Sequence, residues 1–188
     1  MSRESMLDHV VDVIAADGMA GLSIRTVAAR AGVAIGTVQH WFPTKQAMLL
    51  AAMDRTARIA EQASAARLSL ADPADRVRAV AELLVPADPS SPVSRVWIAF
   101  AAHAVADAEV RARYEQLWAR THAGVVGLLA SAAPSAAASA LDDAAGELLA
   151  LADGLTIAVL DEPGRMPPAR AAALIRRRVD AFLAELGG

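Results

Sequence analysis

The chain has 188 residues, more than the commonest single-domain size, so a small module beside a larger one fits the length. Hydrophobic residues make up 55% but aromatics only 4%, so alanine and the aliphatics carry the apolar content, and helix formers far outnumber strand formers. The absence of Cys excludes a disulfide framework, a thiolate metal site and a cysteine nucleophile, and a formal net charge of −3 excludes a uniformly basic surface. A cysteine-free chain fits the reducing cytoplasm, which is the expected location.

The opening stretch MSRESMLDHVVDVIAADG interleaves charges with apolar residues and lacks the uninterrupted apolar core of a secretion signal. Met6, Leu7, Val10, Val13 and Ile14 recur at the three-and-four spacing of one helix face, which predicts a first helix over about residues 2–16. Gly18 and Gly21 open a turn. Ser23 is a good N-cap for a second helix over 24–31, and Gly32 stops it. A short third helix is expected over 35–41, closed by Phe42-Pro43. Thr44 caps a longer fourth helix that reaches about Arg67. Asp72-Pro73 and Ser91-Pro92 each place a cap before proline at the first helical position. They start a fifth helix to about Val85 and a sixth to about Ala106, separated by a loop holding Pro86 and Pro89. Further helices are expected over 107–132, 135–160 and 168–186, about nine in total. The run Thr121–Leu141 has no Asp, Glu, Lys or Arg, but Pro134 and its many alanines mark two helix segments rather than a membrane span.

Residues 22–45 carry the function. Physically they read as a helix, a tight Ala-Gly-Val turn and a short second helix whose outer face is small and polar. Two short helices joined by a glycine-containing turn form a helix-turn-helix, whose second helix enters the DNA major groove. The charge distribution agrees. Between Gly18 and Met48 the charged residues are Arg25, Arg30 and Lys45, with no acid, so this stretch is +3 and the rest of the chain −6. A local positive patch on an acidic body is what phosphate binding needs.

The segment LSIRTVAARAGVAIGTVQHWFPTK closely resembles the DNA-binding signature of the TetR family, with the likeness strong over about residues 5–50. The resemblance implies base contacts from Arg25, Ala34, Ile35 and Gly36. It implies phosphate contacts, which set register more than sequence, from Thr37, His40, Trp41 and Lys45. Gln39 stands where most members have Tyr; it can bond a phosphate or read adenine through two hydrogen bonds. Lys45 near a helix start opposes the helix dipole, which favours a phosphate partner over a structural role. Phe42 reads as core.

Downstream, Trp97 and Phe100 are three residues apart, and Tyr114, Trp118 and His122 follow one another at four, so each set shares a helical stripe. Core packing and the wall of a ligand cavity both produce such stripes. The cavity reading names Glu82, Trp97, Phe100, His103, Tyr114, Trp118 and His122 as an effector site, with Glu115 a further polar candidate. No His/Asp/Glu spacing supports a metal site, and no cofactor is expected. The segments Asp153-Gly154-Leu155 and Leu160-Asp161-Glu162-Pro163 resemble the last two helices of TetR-type sensors, and the Trp97–Phe100 region resembles the BetI-type branch. That likeness does not carry choline over as the effector. In the family the last two helices form a dimer interface as a four-helix bundle. The resemblance therefore assigns Leu148, Leu151, Leu155, Leu174, Ile175, Val179 and Phe182 to a partner chain. Arg176, Arg177 and Arg178 read as solvated residues of a final amphipathic helix rather than a second nucleic-acid patch.

The expectation is thus an all-α protein, with residues 1–47 as a DNA-binding domain and 48–188 as a ligand-sensing and dimerisation domain. It would bind double-stranded operator DNA as a homodimeric repressor released by a small molecule, would not be an enzyme and would not enter a membrane. An activator of the same fold is the nearest alternative; a helical enzyme using His103 or His122 as base, or an adaptor without DNA binding, are the distant ones.

Overall fold

A computed structural model describes residues 1–187 of the chain. Among them are nine helices and no strand: α1 (Arg3–Gly21), α2 (Ile24–Ala31), α3 (Ile35–Trp41), α4 (Lys45–Leu68), α5 (Pro73–Leu83), α6 (Pro92–Ala104), α7 (Ala108–Ala132), α8 (Ala138–Asp161) and α9 (Pro168–Gly187). No described helix is long and apolar enough to cross a membrane.

The helix ends obey local chemistry. Ser23 Oγ accepts the Thr26 N–H at 3.0 Å and so caps α2. At the other end Gly32 takes the left-handed conformation (φ 65°), while Val33 N–H reaches Ala28 O at 3.0 Å and Gly32 N–H reaches Ala29 O at 3.3 Å. This paired closure needs a residue with no Cβ penalty at positive φ, which is the role of the glycine. Asp72 accepts the Ala74 N–H ahead of Pro73 and starts α5. Asp107 accepts from Glu109 and Val110 and starts α7.

Two boundaries differ from expectation by three residues or more. Helical turns resume after Gly18, whose φ of 66° and ψ of −171° break α1 without ending it, and continue to Gly21. Helix α8 begins at Ala138 rather than Ser135. Pro134 starts a turn closed by Ala136 N–H on Ala133 O, and Ala137, still extended, gives the first helical turn no side-chain cap.

The helices pack into two compact units. Residues Met1–Ala60 and Pro92–Gln116 form the first; Glu61–Ser91 and the chain from Leu117 onward form the second. The chain leaves the first unit within α4, returns to it between Ser91 and Pro92, and leaves it again within α7. In the first unit α1 packs on α6 and α2, and α2 packs on α3. Met6, Leu7, Val10, Ile14, Val27, Val38, Phe42, Met48, Met53, Val96 and Phe100 are buried there. The buried Thr56 hydroxyl is satisfied by Ala52 O one turn back. In the second unit α9 packs on both α5 and α8. A continuous core there includes Val77, Leu129, Leu148, Leu155, Val159, Ile175, Val179 and Phe182.

Candidate nucleic-acid interface and sensor residues

Three buried groups lock the short helix α3: Val38 in its own middle, Val27 and Ala28 on the α2 face it packs against. Phe42 follows at once, buried, with its N–H on Val38 O at 2.8 Å. With that side fixed, the helix period turns Ala34, Ile35, Gly36, Gln39 and His40 to solvent, with Thr37 and Trp41 half-buried at its edges. Ile35 is 44% exposed, unusual for a large aliphatic side chain next to a well-packed core. His40 and Trp41 meet edge-on, ring centroids 5.0 Å apart.

The three cations of the motif differ in their surroundings. Arg30 is ion-paired with Asp17 at 3.2 Å, which neutralises it. Arg25 is exposed, with no carboxylate partner among the described residues. Lys45 Nζ donates to the Met19 carbonyl at 3.3 Å, a contact that orients the ammonium but leaves its charge uncompensated. The helix-turn-helix segment therefore presents a strip of small and polar side chains and carries two uncompensated cations, the groups that a major groove and its flanking phosphates require.

The seven expected effector residues do not stay together in one unit. Trp97 and Tyr114 are brought into a tilted stack in the first unit, centroids 5.1 Å apart. Phe100 is fully buried there, and His103 Nε2 lies 4.0 Å from Asp107. The Val110 N–H, foremost, holds the Asp107 carboxyl below its usual range. In the second unit Trp118 and His122 line an open groove of about 480 Å³ with Ala119, Gly146, Leu149, Ala150 and Asp153. His122 also faces Asp142 across 3.7 Å. The Glu82 carboxylate accepts from Arg176 Nε at 2.6 Å on the surface of α5 and α9, so an effector that used it would have to displace an arginine.

Asp153 was absent from the sequence-derived site, yet it supplies the carboxylate of the groove. Burial against apolar neighbours pushes its carboxyl up to about 6. The sequence signal for it was the Asp-Gly pair set in the apolar run from Leu148 to Leu160, which marks a polar group carried into an apolar surface.

The residues assigned to a partner chain differ in how far their own unit buries them. Leu148, Leu155, Ile175, Val179 and Phe182 are buried within the core of their own unit. A side chain with almost no exposed area on one chain has none left to bury against another, so only Leu151 and Leu174 of the original seven keep surface. The open side of α8 instead carries Gly146, Ala150, Gly154 and Ile157, the last 47% exposed. Of the three consecutive arginines, Arg176 pairs with Glu82, and Arg178 pairs with Glu147 at 2.7 Å and Glu185 at 3.0 Å; Arg177 is exposed.

Known proteins supply the remaining context. Residues 7–52 match the family described as bacterial regulatory proteins, tetR family, and residues 73–184 match the BetI-type transcriptional repressor C-terminal family. The HTH-type transcriptional regulator BetI of Burkholderia ambifaria is 31% identical over 185 residues, covering 97% of this chain and 94% of that protein. Its counterpart from Paraburkholderia xenovorans is 32% identical over 156 residues, 81% of this chain and 78% of that one. Among solved structures, a transcriptional regulator from Rhodococcus sp. Rha1 superposes with a TM-score of 0.88 at 27% identity, covering 100% of this chain and 99% of that one. A regulator from Saccharomonospora viridis, crystallised in complex with choline, has the same fold at a TM-score of 0.79 and 23% identity, over 97% of this chain and 95% of that one.

Proposed function

The chain belongs to the TetR family of bacterial regulatory proteins, in its BetI-type branch, and from that premise we propose that it is a homodimeric repressor that leaves its operator when a small molecule binds. DNA contact belongs to residues 1–47, sensing and dimerisation to residues 48–188. The protein works in the cytoplasm and performs no catalysis.

The observation that carries this reading is the exposed face of α3, held rigid by Val38 and Phe42 and adjoined by the uncompensated Arg25 and Lys45. Two such helices in a two-fold dimer read half-sites about one helical turn apart, ~34 Å. Arg25, Ala34, Ile35 and Gly36 approach base edges. Thr37, His40, Trp41 and Lys45 hold phosphates, and Gln39 serves either role.

The effector works by differential affinity: it favours a form of the dimer with the recognition helices at the wrong separation, a coupling typically worth ~1–3 kcal/mol. Two separate sets of aromatic and polar groups suit it: Trp97, His103 and Tyr114 in the first unit, and Trp118 and His122 on the groove of the second. The partner chain packs on the part of α8 that carries Gly154 and Ile157, with Leu151 and Leu174 at the margin. Small side chains there permit close helix approach, and an exposed isoleucine gains from cover.

A mobility shift on the DNA flanking the protein's own gene, titrated with salt and nonspecific competitor, tests the reading. A retarded band that survives competitor is expected, and ligands (choline among the first screened) are then sought that release it. Loss of every band to competitor, on this DNA and on sequences from random selection, would sink it.

A further inference from the structure

We propose that Arg3, in the first turn of α1, is an additional DNA-backbone contact that extends the interface beyond the helix-turn-helix. The proposal rests on the DNA-binding reading above.

The Arg3 guanidinium lies over the Phe42 ring, 5.2 Å from its centroid. Phe42 is the residue that terminates α3 and is followed two positions later by Thr44 and then Lys45, so Arg3 sits at the end of the recognition helix, beside residues assigned to phosphate. Its position is fixed at both ends. Ser2 Oγ accepts the Ser5 N–H at 3.1 Å and caps the first turn of α1, and the ring holds the guanidinium from below.

Its charge is uncompensated although acids are close in sequence. Glu4 and Asp8 are both taken by Arg55, at 3.3 and 2.9 Å, and no carboxylate of the described residues is bonded to Arg3. A cation in a helix's first turn also opposes the helix dipole, as Lys45 does at the start of α4. Two exposed cations in the same unfavourable setting, both next to Phe42 in space or sequence, fit one cause: a phosphate on either side of the end of α3. A planar guanidinium can keep its face on the ring and offer its edge donors to phosphate oxygens. The bland alternative is that Arg3 merely covers Phe42.

The test is the salt dependence of binding by the full-length protein to duplex DNA flanking its own gene, for wild type, Arg3→Gln, Arg3→Lys and Arg177→Gln. Each phosphate neutralised adds about 0.9 to the slope of log affinity against log salt. Arg3→Gln is expected to lower the slope by that amount per chain, so that between 50 and 200 mM salt it loses about 3.5-fold less affinity per chain than wild type. Arg3→Lys keeps the slope, because the charge remains. Arg177→Gln, which removes the same charge from α9, leaves it unchanged. An unaltered slope for Arg3→Gln, with only a lower melting temperature, would show a structural cover and overturn the proposal. So would an equal fall for Arg177→Gln, which would make the effect one of net charge. If wild type itself shows no salt-dependent binding, the DNA-binding reading fails first and this proposal with it, a result visible before any variant is made.

Discussion

The α2–α3 pair and the α8–α9 pair were both marked by the sequence as working surfaces, and the structure treats them in opposite ways. In α3 seven residues leave little to bury: Val38 and the adjoining Phe42 hold it, and nearly everything else on the helix faces outward. In α8 and α9, 24 and 20 residues long, the apolar positions are numerous and the unit consumes most of them itself. The lesson concerns how function is written on a helix. Where the buried anchor is minimal, the residues that work are those the period throws to the surface, and a motif names them. Where apolar residues abound, a stripe says only that something will cover it.

The largest test of that contrast is Ile175→Ala. At 0% exposure, Ile175 should cost about 2–5 kcal/mol of chain stability when truncated, read by urea unfolding at two protein concentrations. A variant that unfolds like wild type but sediments as a monomer would return Ile175 to the interface. Next comes Ile157→Glu on the open side of α8. Two like charges facing each other across a two-fold should raise the dimer dissociation constant at least about tenfold, ~1.4 kcal/mol, with the helical content unchanged. An unaltered sedimentation profile would place the partner elsewhere.

Asp153→Asn probes the same helix through pH. The folded-state carboxyl lies at about 6, above its ordinary 3.8, so the folded chain binds the proton more tightly than the unfolded chain does. Wild-type stability should therefore fall as pH rises from about 4 to 6 and stay low above that. Because the group is only half-buried, solvent screening reduces the effect to about 1 kcal/mol. Asn should remove this slope and stabilise the chain near neutrality, while a slope that persists would move the titration to another group. The smallest effect is expected at the DNA-facing end. Lys45→Ala should lower the salt slope of binding by about 0.9, some 3.5-fold between 50 and 200 mM salt, equally for all DNA sequences. A change of preference at one base with the slope intact would make Lys45 a base reader.

Most helix boundaries were legible because they depend on a few neighbouring residues: Ser23 and Gly32 bound α2, and Asp72-Pro73 starts α5, through contacts within five positions. The same locality made the α3 face readable, since the motif contains both its buried anchor and its exposed side. Where a local signal was missing the reading slipped, as at Ala137, which starts α8 without a cap. Sequence periodicity also gathered Trp118 with His122, but could not bring in Gly146, Ala150 and Asp153 from the next helix. Nor could it foresee that Glu82 meets Arg176 across 94 positions, or that Arg3 lies over Phe42.

What the chain determined by itself is therefore everything set by hydrogen bonds and periods over a turn or two: an all-helical fold, its punctuation, and the recognition face with its family. Tertiary structure alone decided which apolar stripes are spent on the chain's own core, which carboxylates are paired, and which are left half-buried in a groove. Those outcomes depend on contacts between distant segments, and a hydrophobic position carries the same free-energy gain whichever surface covers it.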